Sequence, residues 1–170
     1  QTSGTGDGMP TPKVSILAAG GITFNGDTAT ANALDDYEEG TWTPTFTFAT
    51  PGDLAITGYN SQSGKYQKVG NTITASFYAY VSTQMTFTTA SGNFNITGLP
   101  FTIGASYTAG AMDITGLATG RSCQVIIAEA GLNYLKLIGS DTGLSRVTAT
   151  STMITSGAAL FIRGEISYTV

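Results

Sequence analysis

Asn71-Thr72-Ile73-Thr74-Ala75-Ser76-Phe77-Tyr78-Ala79-Tyr80-Val81-Ser82 alternates without a break. Ile73, Ala75, Phe77, Ala79 and Val81 fall on one side, with Thr72, Thr74, Ser76, Tyr78, Tyr80 and Ser82 on the other. A period of two in β-branched and aromatic residues predicts a strand with one face in a core. At about 3.3 Å per residue, twelve residues would span about 40 Å, which requires a tall sheet or a bulge.

Working outward, residues 45–50 set Phe46 and Phe48 against Thr45 and Thr47, and residues 54–56, 85–88 and 93–97 add short alternating pieces. Residues 58–64 (Gly-Tyr-Asn-Ser-Gln-Ser-Gly) have turn chemistry and read as a loop. Pro100 cannot donate to a ladder and marks a strand exit, after which residues 101–120 read as loop. Residues 122–128 and 132–138 flank Glu129-Ala130-Gly131 at hairpin spacing, and residues 147–154 form another candidate strand. In residues 158–170, Leu160, Ile162, Ile166 and Tyr168 share a face opposite Phe161, Arg163, Glu165 and Ser167. Nothing after residue 40 has a helical period. About nine or ten strands at spacings of roughly 8 to 15 residues predict an all-β, antiparallel, jelly-roll-like β-sandwich.

The 170 residues suit one such domain plus a short appendage. Charged residues are 11% of the chain, under half the usual share of about 25%, while hydrophobic residues reach 41%. A weakly charged, Gly- and Thr-rich chain with a net charge of -4 is not a disordered composition. It fits an obligate oligomer that buries surface against its own copies. The single Cys123 excludes an intrachain disulfide and reads as a small buried hydrophobe, compatible with assembly in a reducing cytoplasm. The residues contain no signal peptide pattern and no run of about 18 apolar residues. Gln1 in place of an initiator methionine makes a fragment of a longer protein the expectation.

Upstream of the strands the chain changes character. Residues 1–12 read as linker, residues 13–18 and 22–24 as short strands, and residues 28–34 as a short helix or extended connector. Then comes Leu34-Asp35-Asp36-Tyr37-Glu38-Glu39-Gly40-Thr41-Trp42-Thr43-Pro44-Thr45, holding four carboxylates in five residues and the one tryptophan. Such charges repel and call for solvent or cations, Gly40 frees the backbone, and Pro44 bars a central-strand position. This is an elbow between a slender segment, residues 1–36, and a globular one, residues 37–170.

The run from Ala33 to Pro44 resembles the junction between trimeric shaft and C-terminal head in tailed-bacteriophage tail fibres and tailspikes. Gly64-Lys65-Tyr66-Gln67-Lys68-Val69-Gly70-Asn71-Thr72-Ile73 and Asn95-Ile96-Thr97-Gly98-Leu99-Pro100-Phe101 fit the same pattern, so the resemblance covers roughly residues 22–101. It implies a homotrimeric receptor-binding head at the virion tip, made in the host cytoplasm. The implied partners are the preceding shaft and a host cell-surface glycan or outer-membrane protein. Two alternatives stay open: a structural trimerisation and folding cap, and a non-catalytic module of a capsule-degrading tailspike.

The absence of histidine removes Ser-His, Cys-His and His-metal chemistry. Glycoside hydrolysis would need two acids roughly 5 to 10 Å apart across a cleft, and the clustered acids lie at the elbow instead. No calcium-loop spacing occurs, so neither catalysis, metal nor cofactor is expected. Asp35, Asp36, Glu38 and Glu39 read as a solvated turn or as trimer contacts to a neighbour's cations, and Trp42 as an anchor under the head within that neck. Tyr78 and Tyr80 stand on the polar face of their strand, and Tyr59 and Tyr107 fall in segments rich in Gly, Ser, Thr and Asn. These four are the candidate ligand-binding residues, with a subunit interface as the competing use of Tyr78 and Tyr80. Seven scattered basic residues and a pI near 4.5 argue against nucleic acid, and the low charge argues against a membrane surface.

Overall fold

The computed structural model describes residues 13–83, 85–142 and 145–170, so the linker expected over residues 1–12 lies outside the described residues. The chain divides into two compact units between Tyr37 and Glu38, where the expected boundary was 36/37.

In the N-terminal unit, β1 (Val14–Ile16) pairs antiparallel with β2 (Ile22–Phe24), placing Val14 opposite Phe24 and Ile16 opposite Ile22. Ile22 also exchanges backbone hydrogen bonds with Leu34, at 3.0 and 2.9 Å. Directly opposed residues share a face. Val14, Ile16, Ile22, Phe24 and Leu34 therefore form one apolar side, and all five are exposed. The connector of residues 28–34 holds a single 3-10 turn at Thr30–Asn32. Asp27 accepts hydrogen bonds there from the Ala29 amide and the Asn32 side chain, which hold its carboxyl below the ordinary carboxylate range.

The C-terminal unit is all-β. Its strands are β3 (Tyr37–Trp42), β4 (Thr45–Thr50), β5 (Ala55–Ile56), β6 (Ser61–Val69), β7 (Thr72–Val81) and β8 (Met85–Thr86). Then follow β9 (Ser91–Thr97), β10 (Tyr107–Thr115), β11 (Ser122–Glu129), β12 (Tyr134–Ser140), β13 (Arg146–Thr148) and β14 (Leu160–Thr169). Ten of them make one sheet in the order β3-β6-β7-β14-β10-β11-β12-β9-β4, with β13 on the side of β12. β5 and β8 form a separate pair.

The edges β3 and β4 are consecutive in the chain, joined by Thr43 and Pro44 alone, so the sheet curls onto itself as an antiparallel β-sandwich. Pro44, with no amide hydrogen to offer, sits buried at that seam, and its carbonyl accepts from the Gln62 side chain at 2.8 Å. Gly98, at φ +93, passes so close that a Cβ would lie 2.1 Å from the Thr43 carbonyl oxygen.

The inner face is the core. β7 contributes Ile73, Ala75, Phe77, Ala79 and Val81, and β14 contributes Leu160, Ile162, Ile166 and Tyr168. Phe46, Phe48, Phe94, Ile96, Ile126, Leu135 and Leu137 close it from the facing strands. Burying each large apolar side chain contributes roughly 1.5–3 kcal/mol. β7 is ten residues long and pairs with β6 and β14 with no shift in register, so of the two expected solutions, a tall sheet or a bulge, it carries no bulge. Shifts occur instead between Cys123 and Val125 and between Phe48 and Thr50.

Three expectations are corrected. Residues 61–64 belong to β6 rather than to a loop, because Gly64 is the floor for the Trp42 indole, whose atoms lie 2.6 Å from where a Cβ would stand. Residues 107–115 are β10, a central strand, rather than loop. The candidate strand of residues 147–154 is β13 followed by a 3-10 turn at Ser151–Met153.

Candidate functional site: the outer face of β6, β7, β14 and β10

The registers of β7 with β6 and β14, and of β14 with β10, lay the outward side chains in rows. One row runs Ser61, Tyr80, Phe161, Thr115. The next runs Ser63, Tyr78, Arg163, Asp113, and the third Lys65, Ser76, Glu165, Ala111. A fourth joins Gln67, Thr74 and Ser167. Strand neighbours stand about 4.8 Å apart and successive rows about 6.6 Å, so the four rows cover about 20 Å along β7.

Two depressions indent this lattice. The larger, about 560 Å³, is lined by Thr41 and Glu39 of β3, Lys65 of β6, Ser76 of β7 and Glu165 of β14. The smaller, about 400 Å³, is lined by Ala111, Asp113 and Arg163 and meets the first at Ser76 and Glu165. Above their junction the Tyr78 ring packs edge-on against Phe161 at 5.3 Å between centroids. The Arg163 guanidinium lies 5.6 Å over the Phe161 ring and 3.1 Å from the Asp113 carboxylate. Below it the Thr74 and Ser167 hydroxyls are 3.0 Å apart. Aromatic shelf, hydroxyls and both signs of charge thus share one continuous surface. Such groups hold a hydroxyl-rich ligand by stacking on its C–H faces and by hydrogen bonds to its rim.

The four candidate tyrosines part company. Tyr78 and Tyr80 share this outer face in adjacent rows, each half-buried. Tyr59 packs on the core instead: its ring is 5.5 Å from Phe46 and its hydroxyl accepts the Phe46 amide at 2.7 Å, while burial pushes its pKa up. Tyr107 opens β10 rather than a loop and is 79% exposed, opposite Glu129 in the ladder with β11. Eight residue steps along β10 separate it from Thr115, about 26 Å at strand rise, so it stands away from Tyr78 and Tyr80.

The junction acids are divided between the units. Asp35 and Asp36 belong to the N-terminal unit, where Asp35 packs beside Gly21 at φ +85, and Glu38 and Glu39 belong to the C-terminal one. All four are exposed. Glu38 accepts a hydrogen bond from the Tyr66 hydroxyl, which pushes the Tyr66 pKa up. Tyr66 itself lies over Gly40 and meets Phe101 edge-on. Trp42 is an anchor packed within the chain. It is 6% exposed, its ring is 5.6 Å from Phe77 and over Gly64, and its indole N–H donates to the Ser76 carbonyl at 3.2 Å.

Lys65, Ser76, Arg163, Asp113 and Glu165 come from four strands spread over a hundred positions, and none was singled out from sequence. The alternation in β14 does place Arg163 and Glu165 outward, but only the pairing of β14 with β7 sets them beside Tyr78. Among the described residues no group of three or more Asp, Glu, Cys or His could hold a metal ion. Comparison with known proteins finds no matching family, no matching curated sequence and no matching solved structure.

Proposed function

We propose that the C-terminal unit is a non-catalytic receptor-binding head of a bacteriophage tail fibre or tailspike, and that its outer face across β6, β7, β14 and β10 contacts a glycan of the host surface. The observation that carries this is the continuous track of Lys65, Ser76, Glu165, Arg163 and the Tyr78–Phe161 pair on one solvent-facing lattice. Ordinary surface strands need charged or hydroxyl side chains there, not paired aromatic rings beside two depressions. Fluorescently labelled protein is expected to bind host cells, and Tyr78→Ala together with Glu165→Gln to abolish that binding while circular dichroism stays unchanged. Full binding by that double variant would refute the assignment of the face.

A second reading, a trimerisation cap for the fibre, draws support from the N-terminal unit. Val14, Ile16, Ile22, Phe24 and Leu34, with Ile16 81% exposed, lie on one side of a hairpin and its bridged neighbour, too small a structure to hold a core. Two sister copies of the chain would cover that side, making the particle a homotrimer of 17.5 kDa chains. Light scattering tests it: a stable monomer would refute both the cap and the trimer.

A further inference from the structure

Resting on the reading of the outer face as the receptor surface, we infer that the track takes an uncharged or amino-bearing oligosaccharide and rejects polyanionic ones. The two depressions share Ser76 and Glu165, so they read as one shallow groove running across the strands rather than as two sites. Its length across β3, β6, β7, β14 and β10, four strand spacings of about 4.8 Å, is about 19 Å and suits several sugar units in line.

The charges along it decide the class. Lys65 is the one cation among the residues lining the larger depression, against the carboxylates of Glu39 and Glu165. In the smaller depression the Arg163 guanidinium is held between Asp113 and the Phe161 ring. An anion reaching for Arg163 would meet a guanidinium whose charge the neighbouring Asp113 carboxylate already offsets. A sulfate or carboxylate placed over Ser76 would face Glu165 and gain only one flexible lysine in return. Like-charge approach at that range lowers binding by about tenfold or more. An ammonium there gains a charge-assisted hydrogen bond to Glu165, and neutral hydroxyls meet Ser76, Thr74 and Thr41. The chain's net charge of -4 steers in the same direction.

Three hexasaccharides test this by calorimetry on the full chain: glucosamine (cationic), N-acetylglucosamine (neutral) and galacturonate (anionic). The glucosamine or N-acetylglucosamine hexamer is expected to bind at least about tenfold tighter than galacturonate. Glu165→Gln, an exposed and isosteric change, is expected to weaken the glucosamine hexamer about tenfold more than it weakens the N-acetylglucosamine hexamer. Glu165→Lys should raise galacturonate binding. Galacturonate binding as tightly as the other two, indifference of all three to both Glu165 substitutions, or no binding of any hexamer overturns the inference. Labelled protein on host cells is read in parallel. If cells are bound while the inference fails, the receptor reading stands alone; if neither cells nor any hexamer is bound, both fall.

Discussion

Replacing Trp42 by alanine is the sharpest test of how the C-terminal unit is locked. The indole is 6% exposed, leans on Phe77 at 5.6 Å, covers the bare backbone of Gly64 and donates to the Ser76 carbonyl. Removing a buried aromatic ring of this kind costs about 3–5 kcal/mol, and the lost hydrogen bond about 1 kcal/mol more. For a domain of total stability about 5–15 kcal/mol, that is about a quarter of it or more. Trp42→Phe keeps the ring contact and should cost only about 1–2 kcal/mol. The assay is urea unfolding followed by circular dichroism at fixed protein concentration, since the substitution removes the only indole fluorophore. Gly64→Ala supplies the cycle: its Cβ would stand 2.6 Å from the indole, so it is expected to be costly in the native background and nearly neutral beside Trp42→Ala. A Trp42→Ala cost under about 1 kcal/mol, or equal Gly64→Ala costs in the two backgrounds, would refute the packing of β3 on β6 by this ring over glycine.

Asp53 accepts the Thr88 and Thr89 amides at 2.7–3.0 Å, tying the turn after β4 to the one after β8, and these bonds hold its carboxyl well below the usual range. A carboxyl depressed in the folded state stabilises above the unfolded pKa of about 3.9 and loses that contribution as pH falls toward the folded value. The stability gap between native protein and Asp53→Asn should therefore narrow from pH 5 to pH 3 in urea titrations; a gap that widens contradicts the latch. Burial pushes the Tyr168 hydroxyl up to about 12, and it donates to the Phe101 carbonyl at 3.3 Å. A phenol raised this way contributes stability that is full below pH of about 10 and lost as pH rises through about 12. Tyr168→Phe should cost about 1 kcal/mol at pH 7 and blunt the alkaline unfolding, as read by ultraviolet phenolate titration. Burial also pushes the Cys123 thiol up to about 11, so native protein should react with an aromatic disulfide reagent at pH 8 far more slowly than urea-unfolded protein. Equal rates would contradict that burial.

The alternation in residues 72–81 and 160–169 was legible because one face of each strand meets nothing but core, so hydropathy swings fully at every step. β10 hid itself for the opposite reason. Its inward positions are Thr108, Gly110, Met112 and Ile114, its outward ones include Ala109 and Ala111, and the contrast between faces nearly vanishes. Gly110 reads as a strand breaker, yet a Cβ there would lie 2.2 Å from the Glu165 carbonyl oxygen, so the close approach of β10 to β14 demands glycine. Gly64 misleads in the same way within β6, since the cause of its bareness is an indole twenty-two positions earlier. A local window registers a missing side chain; it does not register the partner that fills the space.

The same logic separates the tyrosines. Tyr78 and Tyr80 were legible as outward residues because their own strand declares which face is core. Tyr59 sits in equally polar company, but its neighbours in sequence say nothing about Phe46, whose amide and ring both reach it. Ser76 and Glu165 face outward by their own strands' alternation, but nothing sets them and Lys65 side by side until β6, β7 and β14 are paired in that register. A one-residue slip of β14 would turn Glu165 and Arg163 into the core and Ile162 and Ile166 out to water, which the burial of those isoleucines forbids. The core thus fixes the composition of the outer track: the apolar side of β14 sets the register, and the register sets which charges stand beside Tyr78.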